Sequence, residues 1–314
     1  MPSPTNVRYW KKKAVLFGME TTYGVDPTLV GTTDWFEARN VTLTPYEAES
    51  ADRNIAQPWM GNGGKLIVST RQKLSFDVAL AGSGTAGTAP KIGKLLRAVG
   101  FAQTVTAGVK VEYTLISEAF ESAAFYINID GVLHKGMGAR GTASGKLDAK
   151  GIPLLHVEVT ALYLAPVDAA PPTVDRTGWP IERPVNSANT LVCTVNAVNS
   201  FYSKFEFNLA NQVSHDDFPG GYQVVKIGDR QPSASITLLA ELLATFNPFT
   251  LADNNTSVAV QVVHGTTAGS KVQVDLKTKI VSVNNEDING SVGYNLGLSP
   301  EAVSGNDEIK ITFL

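Results

Sequence analysis

Residues 73–90 read Lys73-Leu74-Ser75-Phe76-Asp77-Val78-Ala79-Leu80-Ala81-Gly82-Ser83-Gly84-Thr85-Ala86-Gly87-Thr88-Ala89-Pro90. In the first eight, Leu74, Phe76, Val78 and Leu80 alternate with Lys73, Ser75, Asp77 and Ala79. Period two is the mark of a strand with one face on a core and the other in water. Residues 82–87 fit G-x-G-x-x-G, the turn with which dinucleotide folds hold pyrophosphate between a strand and a helix. The two parts of the stretch disagree. A central parallel strand is apolar on both faces, and this one is not. Thr88 as cap and Pro90 in the first turn start the helix after the third glycine, which in the nucleotide motif packs within the helix start. No series of βαβ units follows. The stretch therefore predicts an antiparallel strand, a flexible Gly/Ser/Thr connection, and a helix with Ile92, Leu95, Leu96 and Val99 on its core face and Gly100 at its end. A nucleotide-binding enzyme using the Gly82–Gly87 turn is the remote alternative.

The same alternation recurs on both sides of this stretch. Phe125, Ile127 and Ile129 alternate with Tyr126, Asn128 and Asp130, and Phe205, Phe207 and Leu209 with Lys204, Glu206 and Asn208. Val272, Val274 and Leu276 follow the pattern, as do Ile309, Ile311 and Phe313 at the C-terminus. Each predicts a strand with one apolar and one polar face. Ser235 to Phe246 is apolar but stays open between a strand and a short helix. Pro166, Pro171, Pro172, Pro180 and Pro184 fall between 166 and 190. Proline removes a backbone donor and restricts its predecessor, so this stretch predicts a stiff, extended linker. It divides the 314 residues into a first β-rich domain, 1–165, and a second, 191–314.

The two parts share landmarks in the same order. Phe36 and Phe205 lie in an early strand. Pro58-Trp59 to Gly63-Gly64 corresponds to Phe218-Pro219-Gly220-Gly221, and Gln72 to Gln231 at a strand start. Leu162, Leu164 and Pro166 correspond to Leu296, Leu298 and Pro300. That offset also carries Gly131 to Gly265. An old duplication is the expected origin.

Charge and composition exclude several functions. The net charge is −3 with 18% charged residues. Residues 1–165 carry 17 Lys and Arg against 14 Asp and Glu, and 166–314 carry 9 against 15. Neither part is basic enough for tight nucleic-acid binding, and the mildly acidic chain suits a surface that must not hold DNA. The short apolar run Ala14-Val15-Leu16-Phe17 after Lys11-Lys12-Lys13 is no signal peptide core, and no run reaches the ~20 residues of a membrane span. Synthesis in the cytoplasm of the producing cell is expected. The one cysteine, Cys193, lies in a strand-like run and reads as a buried, inert thiol. His134, His156, His215 and His264 show no metal-ligand spacing, and His215-Asp216-Asp217 reads as a solvated loop. Neither a serine elbow, HExxH nor a Walker-type motif occurs, so no catalytic, cofactor or metal residues are assigned.

Glu20-Thr21-Thr22-Tyr23-Gly24-Val25-Asp26-Pro27 resembles the N-terminal motif of siphophage tail tube (major tail) proteins. The glycine turn with its helix through Phe101, the strand–turn–strand run Phe125 to Gly136, and Gly305 to Phe313 as a closing edge strand fit as well. The resemblance implies a bacteriophage structural protein that is not an enzyme and needs no cofactor. It implies tail-tube-like β-sandwich domains with a flanking helix or helical turn, whose sheets join into a ring lined by a β-barrel. Stacked rings would conduct DNA, without specific binding, into the host. The partners would be further copies of itself and the tail tip, tape measure and tail terminator proteins; the place is the virion, away from membranes. In that family a long loop between early strands bridges stacked rings. Glu47 to Leu66 holds that position, and Trp59 and Met60 are costly to leave in water. Trp59, Met60, Arg53, Lys11 and Lys12 are the candidate inter-ring contacts. Two tube domains per chain would make a pseudo-sixfold ring from three chains; six chains with an outer second domain is the alternative. A β-sandwich adhesin or other binding module is the second functional class.

Overall fold

A computed structural model gives the structure for residues 7–177, 179 and 181–314; residues 1–6, Gly178 and Pro180 lie outside the described residues. The chain is mainly β. Its first part holds β1 (Lys13–Met19), α1 (Gly31–Asp34), β2 (Trp35–Phe36), β3 (Arg39–Asp52), β4 (Lys65–Ala79), α2 (Gly93–Ala98), β5 (Phe101–Thr106), β6 (Lys110–Leu115), β7 (Ala123–Ile129), β8 (Val132–Lys146), β9 (Leu154–Tyr163) and β10 (Val167–Asp168). The second holds β11 (Val192–Val195), β12 (Val198–Asn199), β13 (Tyr202–Asn208), β14 (Asn211–Phe218), β15 (Tyr222–Arg230), β16 (Ser233–Leu239), α3 (Pro248–Asp253), β17 (Ser257–His264), β18 (Val272–Ile288), β19 (Ser291–Pro300) and β20 (Ile309–Phe313).

Antiparallel pairing follows one order twice. In the first part it runs β3-β4-β9-β8-β7-β1-β2. In the second it runs β13-β16-β19-β18-β17-β11-β12. The long strands β8 and β18 carry this arrangement, because each pairs through its first portion with β7 or β17 and through its second with β9 or β19. Gly131, at φ +97°, turns β7 into β8, and Gly265, at φ +99°, follows β17. Both take the left-handed backbone that glycine enters without a Cβ clash. The leucine landmarks share elements but not environments: Leu164 lies exposed beyond β9, whereas Leu298 is buried inside β19.

Three joints fuse the parts. Ser144–Lys146 of β8 pair with Glu206–Asn208 of β13. This makes one eight-stranded run, β3-β4-β9-β8-β13-β16-β19-β18. The second joint is β20, which pairs with β18 on one side and with β6 on the other. The C-terminal strand is therefore internal and not the closing edge that its alternation predicts, and even Thr312 on its polar face is buried. The third joint is the glycine turn. Gly84 N donates to Gly269 O at 2.9 Å, and a Cβ on Gly82 would collide with that same carbonyl. The second part's backbone lies directly against the turn, so the glycines serve close backbone approach.

Other expectations are corrected by packing. α2 begins at Gly93 with Ile92 at its N-cap, and no side chain caps it; Thr88 instead closes a turn onto Thr85 O. Gly100 does end it at φ +96°. β7 has no wet face: it lies between β1 and β8, and its other face, Ala124 and Tyr126, packs with Leu16 and Met137. Ser235 to Phe246 divides into the end of β16 and a turn, and the helix follows at Pro248. Among its described residues the linker holds the short strand β10 and turns over 185–189, and it is held to the first part. Trp179 meets the Phe36 ring edge-on at 5.3 Å, and Val185 exchanges backbone bonds with Lys150 and Gly151.

Candidate functional site

The long sheet offers three kinds of surface: its edges, its faces and the hairpins that project from it. Its core-facing side chains include Leu74, Phe76, Val157, Phe205, Phe207, Ile236 and Leu296. The alternating residues form the opposite face: Lys73, Ser75 and Asp77 on β4, His156 and Glu158 on β9, Thr142, Ser144 and Lys146 on β8, Lys204, Glu206 and Asn208 on β13, Ser233 and Ser235 on β16, and Asn284 and Glu286 on β18. This face is hydroxyl- and amide-rich, and its lysines are matched. Lys146 Nζ lies 3.0 Å from both Asp148 and Glu206, Lys204 Nζ 2.9 Å from Glu286, and Lys73 Nζ 3.0 Å from Glu47. The Lys204 contact holds the Glu286 carboxyl below its ordinary range. The cations of this face are thus compensated by carboxylates of the same sheet.

The sheet ends in two open edges. Among the described residues β3 pairs with no strand but β4, and Ile280–Ile288 of β18 with no strand but β19, while α3 packs against β18. Unpaired backbone donors and acceptors along such edges accept another strand.

Two hairpins leave the same end of the sheet. The first is the outer part of β3 and β4. Of the expected loop from Glu47 to Leu66, residues 53–64 form the connection, while 47–52 and 65–66 belong to the two strands. It carries Tyr46, Leu66, Ile67, Val68 and Trp59 exposed, and Met60 is 100% exposed. Arg53 sits exposed where the connection starts, with its N–H donating to Gly64 O. Lys11 and Lys12 sit elsewhere, before β1; Lys12 Nζ pairs with Asp130 at 3.2 Å beside the β7–β8 turn. The structure thus places Trp59, Met60 and Arg53 on one projection and the two lysines on another element. The second hairpin, β14–β15, was missed as an element by sequence reasoning. Its tip stacks Phe218 on Tyr222 at 5.8 Å, both exposed. The Phe218-Pro219-Gly220-Gly221 turn was the available signal, since aromatic residues flanking a glycine pair fit a hairpin. His215 is not on a solvated loop but in β14, 3.3 Å from Ser69.

The arm-base network is electrostatic. Glu47 accepts from Arg71 at 2.9 Å and from Lys73, and Arg71 also reaches Glu49 at 2.6 Å. The Arg71 bond foremost, aided by Lys73 and opposed by partial burial, lowers the Glu47 carboxyl from 4.5 to about 2. A carboxyl depressed on folding stabilises the folded form fully above its unfolded value and loses that effect as pH falls through the folded one. The arm should therefore loosen between about pH 4.5 and 2. The pairs are partly exposed, so the effect is under ~1 kcal/mol. Amide protection at residues 45–52 and 65–70 should fall across that window, and Glu47→Gln should remove most of the pH dependence.

The second arm is clamped to the first part. Tyr23 Oη accepts from Val225 N–H at 2.6 Å. Arg140 donates to Val225 O at 2.8 Å, to Phe120 O at 2.6 Å and to Glu121 O at 3.1 Å, with its guanidinium 5.2 Å from the Tyr23 ring centre. Glu20 holds the clamp in place by accepting from Gly24 N–H, Ser122 Oγ–H and Gly138 N–H at 2.9, 2.7 and 2.6 Å. Asp26 ties Lys135 at 2.8 Å and accepts from the Tyr126 hydroxyl. Burial raises the Tyr23 hydroxyl pKa and lowers that of Arg140. The Glu20–Pro27 motif is thus the receptacle that fixes one arm.

Cys193 is buried in β11, and burial pushes its thiol up to about 12, far from a nucleophile's range. Among the described residues no group of three or more His, Cys, Asp or Glu could hold a metal ion, and no helix is long and apolar enough to cross a membrane. No curated protein matches the chain. A family model described as phage tail tube protein matches residues 10–313.

Proposed function

The chain belongs to the phage tail tube protein family and is a structural component of a phage tail, and we propose that three copies close a ring whose wall is the polar face of the long sheet. The observation that carries this reading is the β8–β13 pairing, which continues one sheet across both parts and leaves one open edge at each end, β3 and β18. Joining β3 of one copy to Ile280–Ile288 of the next repeats within the ring the joint already made within the chain. The repeated pairing order supports two tube domains, 1–165 and 191–314, descended from one by duplication. A second domain used as outer decoration would not continue the wall.

Strand arithmetic separates the closures. Strands lie ~4.8 Å apart, so two copies, about 16 strands, give a circle ~24 Å across backbone to backbone. Side chains narrow that bore by ~10 Å, below a duplex of roughly 20 Å. Three copies, about 24 strands, give ~37 Å and leave a bore of ~27 Å, widened further by strand tilt. DNA then passes a hydroxyl-rich, charge-compensated wall without being held. The tail tip, tape measure and terminator proteins would meet the ends of the stack. Electron cryomicroscopy of assembled tubes tests this directly: three chains per ring are expected, and six would overturn it.

A further inference from the structure

We propose that Asn62 is a site of spontaneous covalent modification, at which the backbone nitrogen of Gly63 displaces the side-chain amide and leaves aspartate or isoaspartate. Asn62, Gly63 and Gly64 follow one another in the connection between β3 and β4, and each has a part in the chemistry. Asn62 is exposed, so water reaches its carboxamide. Gly63 has no side chain to shield its nitrogen, and among the described residues no acceptor holds its N–H. Gly64 sits at φ +87°, and its N–H donates to Asn62 Oδ1 at 2.9 Å. Negative charge develops on that oxygen when a nucleophile adds to Cγ. A donor already aimed at it lowers the barrier.

The steps balance with water as the only co-reactant. Gly63 N gives its proton to solvent base and bonds to Asn62 Cγ. The bond from Cγ to the carboxamide nitrogen breaks, and that nitrogen leaves as ammonia with a proton from water. A cyclic imide remains, and water adds to one of its carbonyls. Breaking the new bond from nitrogen to Cγ restores the peptide with an aspartate side chain. Breaking the bond from nitrogen to the α-carbonyl carbon leaves isoaspartate, with the backbone running through Cγ. The chain also places a glycine after Asn289 and after Asp130. In both, the glycine nitrogen is occupied: Gly290 N–H donates to Asp287 Oδ1 at 2.6 Å, and Gly131 N–H to Asn128 Oδ1 at 3.0 Å. Attack there must first break a hydrogen bond, and at Asn62 it need not. Either product puts a negative charge into a turn flanked by exposed Arg53, whose N–H donates to Gly64 O at 3.1 Å. Isoaspartate also lengthens the backbone of the connection that carries Trp59 and Met60. The reaction needs one chain only, so it is independent of how many copies close a ring.

Purified full-length chain should be held folded in mildly alkaline buffer, sampled over time, and mapped by peptide mass spectrometry with enzymatic labelling of isoaspartate. Imide, aspartate and isoaspartate are expected at Asn62 about tenfold or more faster than at Asn289. Gly63→Ala places a methyl group beside the attacking nitrogen at a backbone conformation that alanine adopts, and it should slow conversion at Asn62 by about tenfold. Asp287→Ala frees Gly290 N–H and should speed conversion at Asn289 while leaving the rate at Asn62 unchanged. Both substitutions lie in exposed turns, and circular dichroism checks that each variant stays folded through the incubation. An Asn62 that stays intact, equal rates at Asn62 and Asn289 in the wild type, or wild-type conversion in Gly63→Ala would overturn the proposal. So would an Asn289 as slow in Asp287→Ala as before, because the availability of the glycine nitrogen would then not select the site.

Discussion

Deleting Ile309–Leu314 is expected to leave a chain with no cooperative unfolding transition. The segment is β20, and it lies between β6 of the first part and β18 of the second. Ile309, Ile311 and Phe313 are buried, and the Phe313 ring meets Tyr113 edge-on at 5.6 Å. Each large buried apolar side chain is worth ~2–5 kcal/mol when lost to a cavity. Three together approach or exceed the ~5–15 kcal/mol that stabilises a typical domain. Deletion also strips two ladders of partners and removes Leu314 O, which accepts from Gly269 N–H at 2.7 Å and so positions the loop that fills the glycine turn. Circular dichroism melting with size exclusion would check this. A truncated chain that stays monomeric and melts cooperatively near the wild type would show that β20 is peripheral after all. Ile311→Ala is the graded version, and a cost of ~2–5 kcal/mol in denaturant unfolding is expected.

That strand also shows how far the sequence could be read. Ile309, Ile311 and Phe313 alternating with Lys310 and Thr312 correctly gives a strand and its core face. Alternation reports only one face at a time and does not count neighbours, so an edge strand and one flanked on both sides look alike. β7 failed in the opposite way. Tyr126 and Asn128 read as a wet face, yet they are covered by segments distant in sequence: Leu29 N–H donates to the Tyr126 hydroxyl, and Asn128 donates to Ala169 O. The start of α2 was misplaced because Thr88 and Pro90 satisfy local capping rules, while the chain spends residues 85–88 on a turn packed under Thr106 and Gly108. The use of the glycine turn as a joint was hidden because it needs Gly269, far along the chain. The projecting arm with Trp59 and Met60 was legible because exposed aromatic and thioether side chains need a reason. Its twin, β14–β15, was obscured by His215-Asp216-Asp217, whose polarity suits a loop until Lys226 is seen pairing with Asp216 across the hairpin.

Arg140→Ala is expected to cost ~3–5 kcal/mol and to free the β14–β15 arm. Its guanidinium is half-buried, and no carboxylate forms an ion pair with it among the described residues. It acts through three carbonyls, two from Phe120 and Glu121 and one from Val225 of the arm. A buried carbonyl left without its donor costs ~1–3 kcal/mol, and three are orphaned at once, partly offset by water that reaches the vacated space. Tyr23→Phe removes only the acceptor for Val225 N–H and should cost ~1–2 kcal/mol. The two residues hold the same arm residue from opposite polarities, so their effects should be less than additive: once Arg140 is gone and the arm has lifted, Tyr23 has little left to hold. Denaturant unfolding of both single variants and the double variant gives this coupling, and limited proteolysis reports the arm. Cleavage should concentrate within 211–230 in Arg140→Ala and leave the core strands protected. If the clamp is what sets the arm, the same variant should also assemble poorly, because Phe218 and Tyr222 no longer occupy a fixed place at the end of the sheet. Additive costs with an arm as resistant as in the wild type would mean that the β14–β15 ladder and its contacts with β8 and β9 hold the arm alone, and that the Glu20–Pro27 motif serves only the stability of the first part.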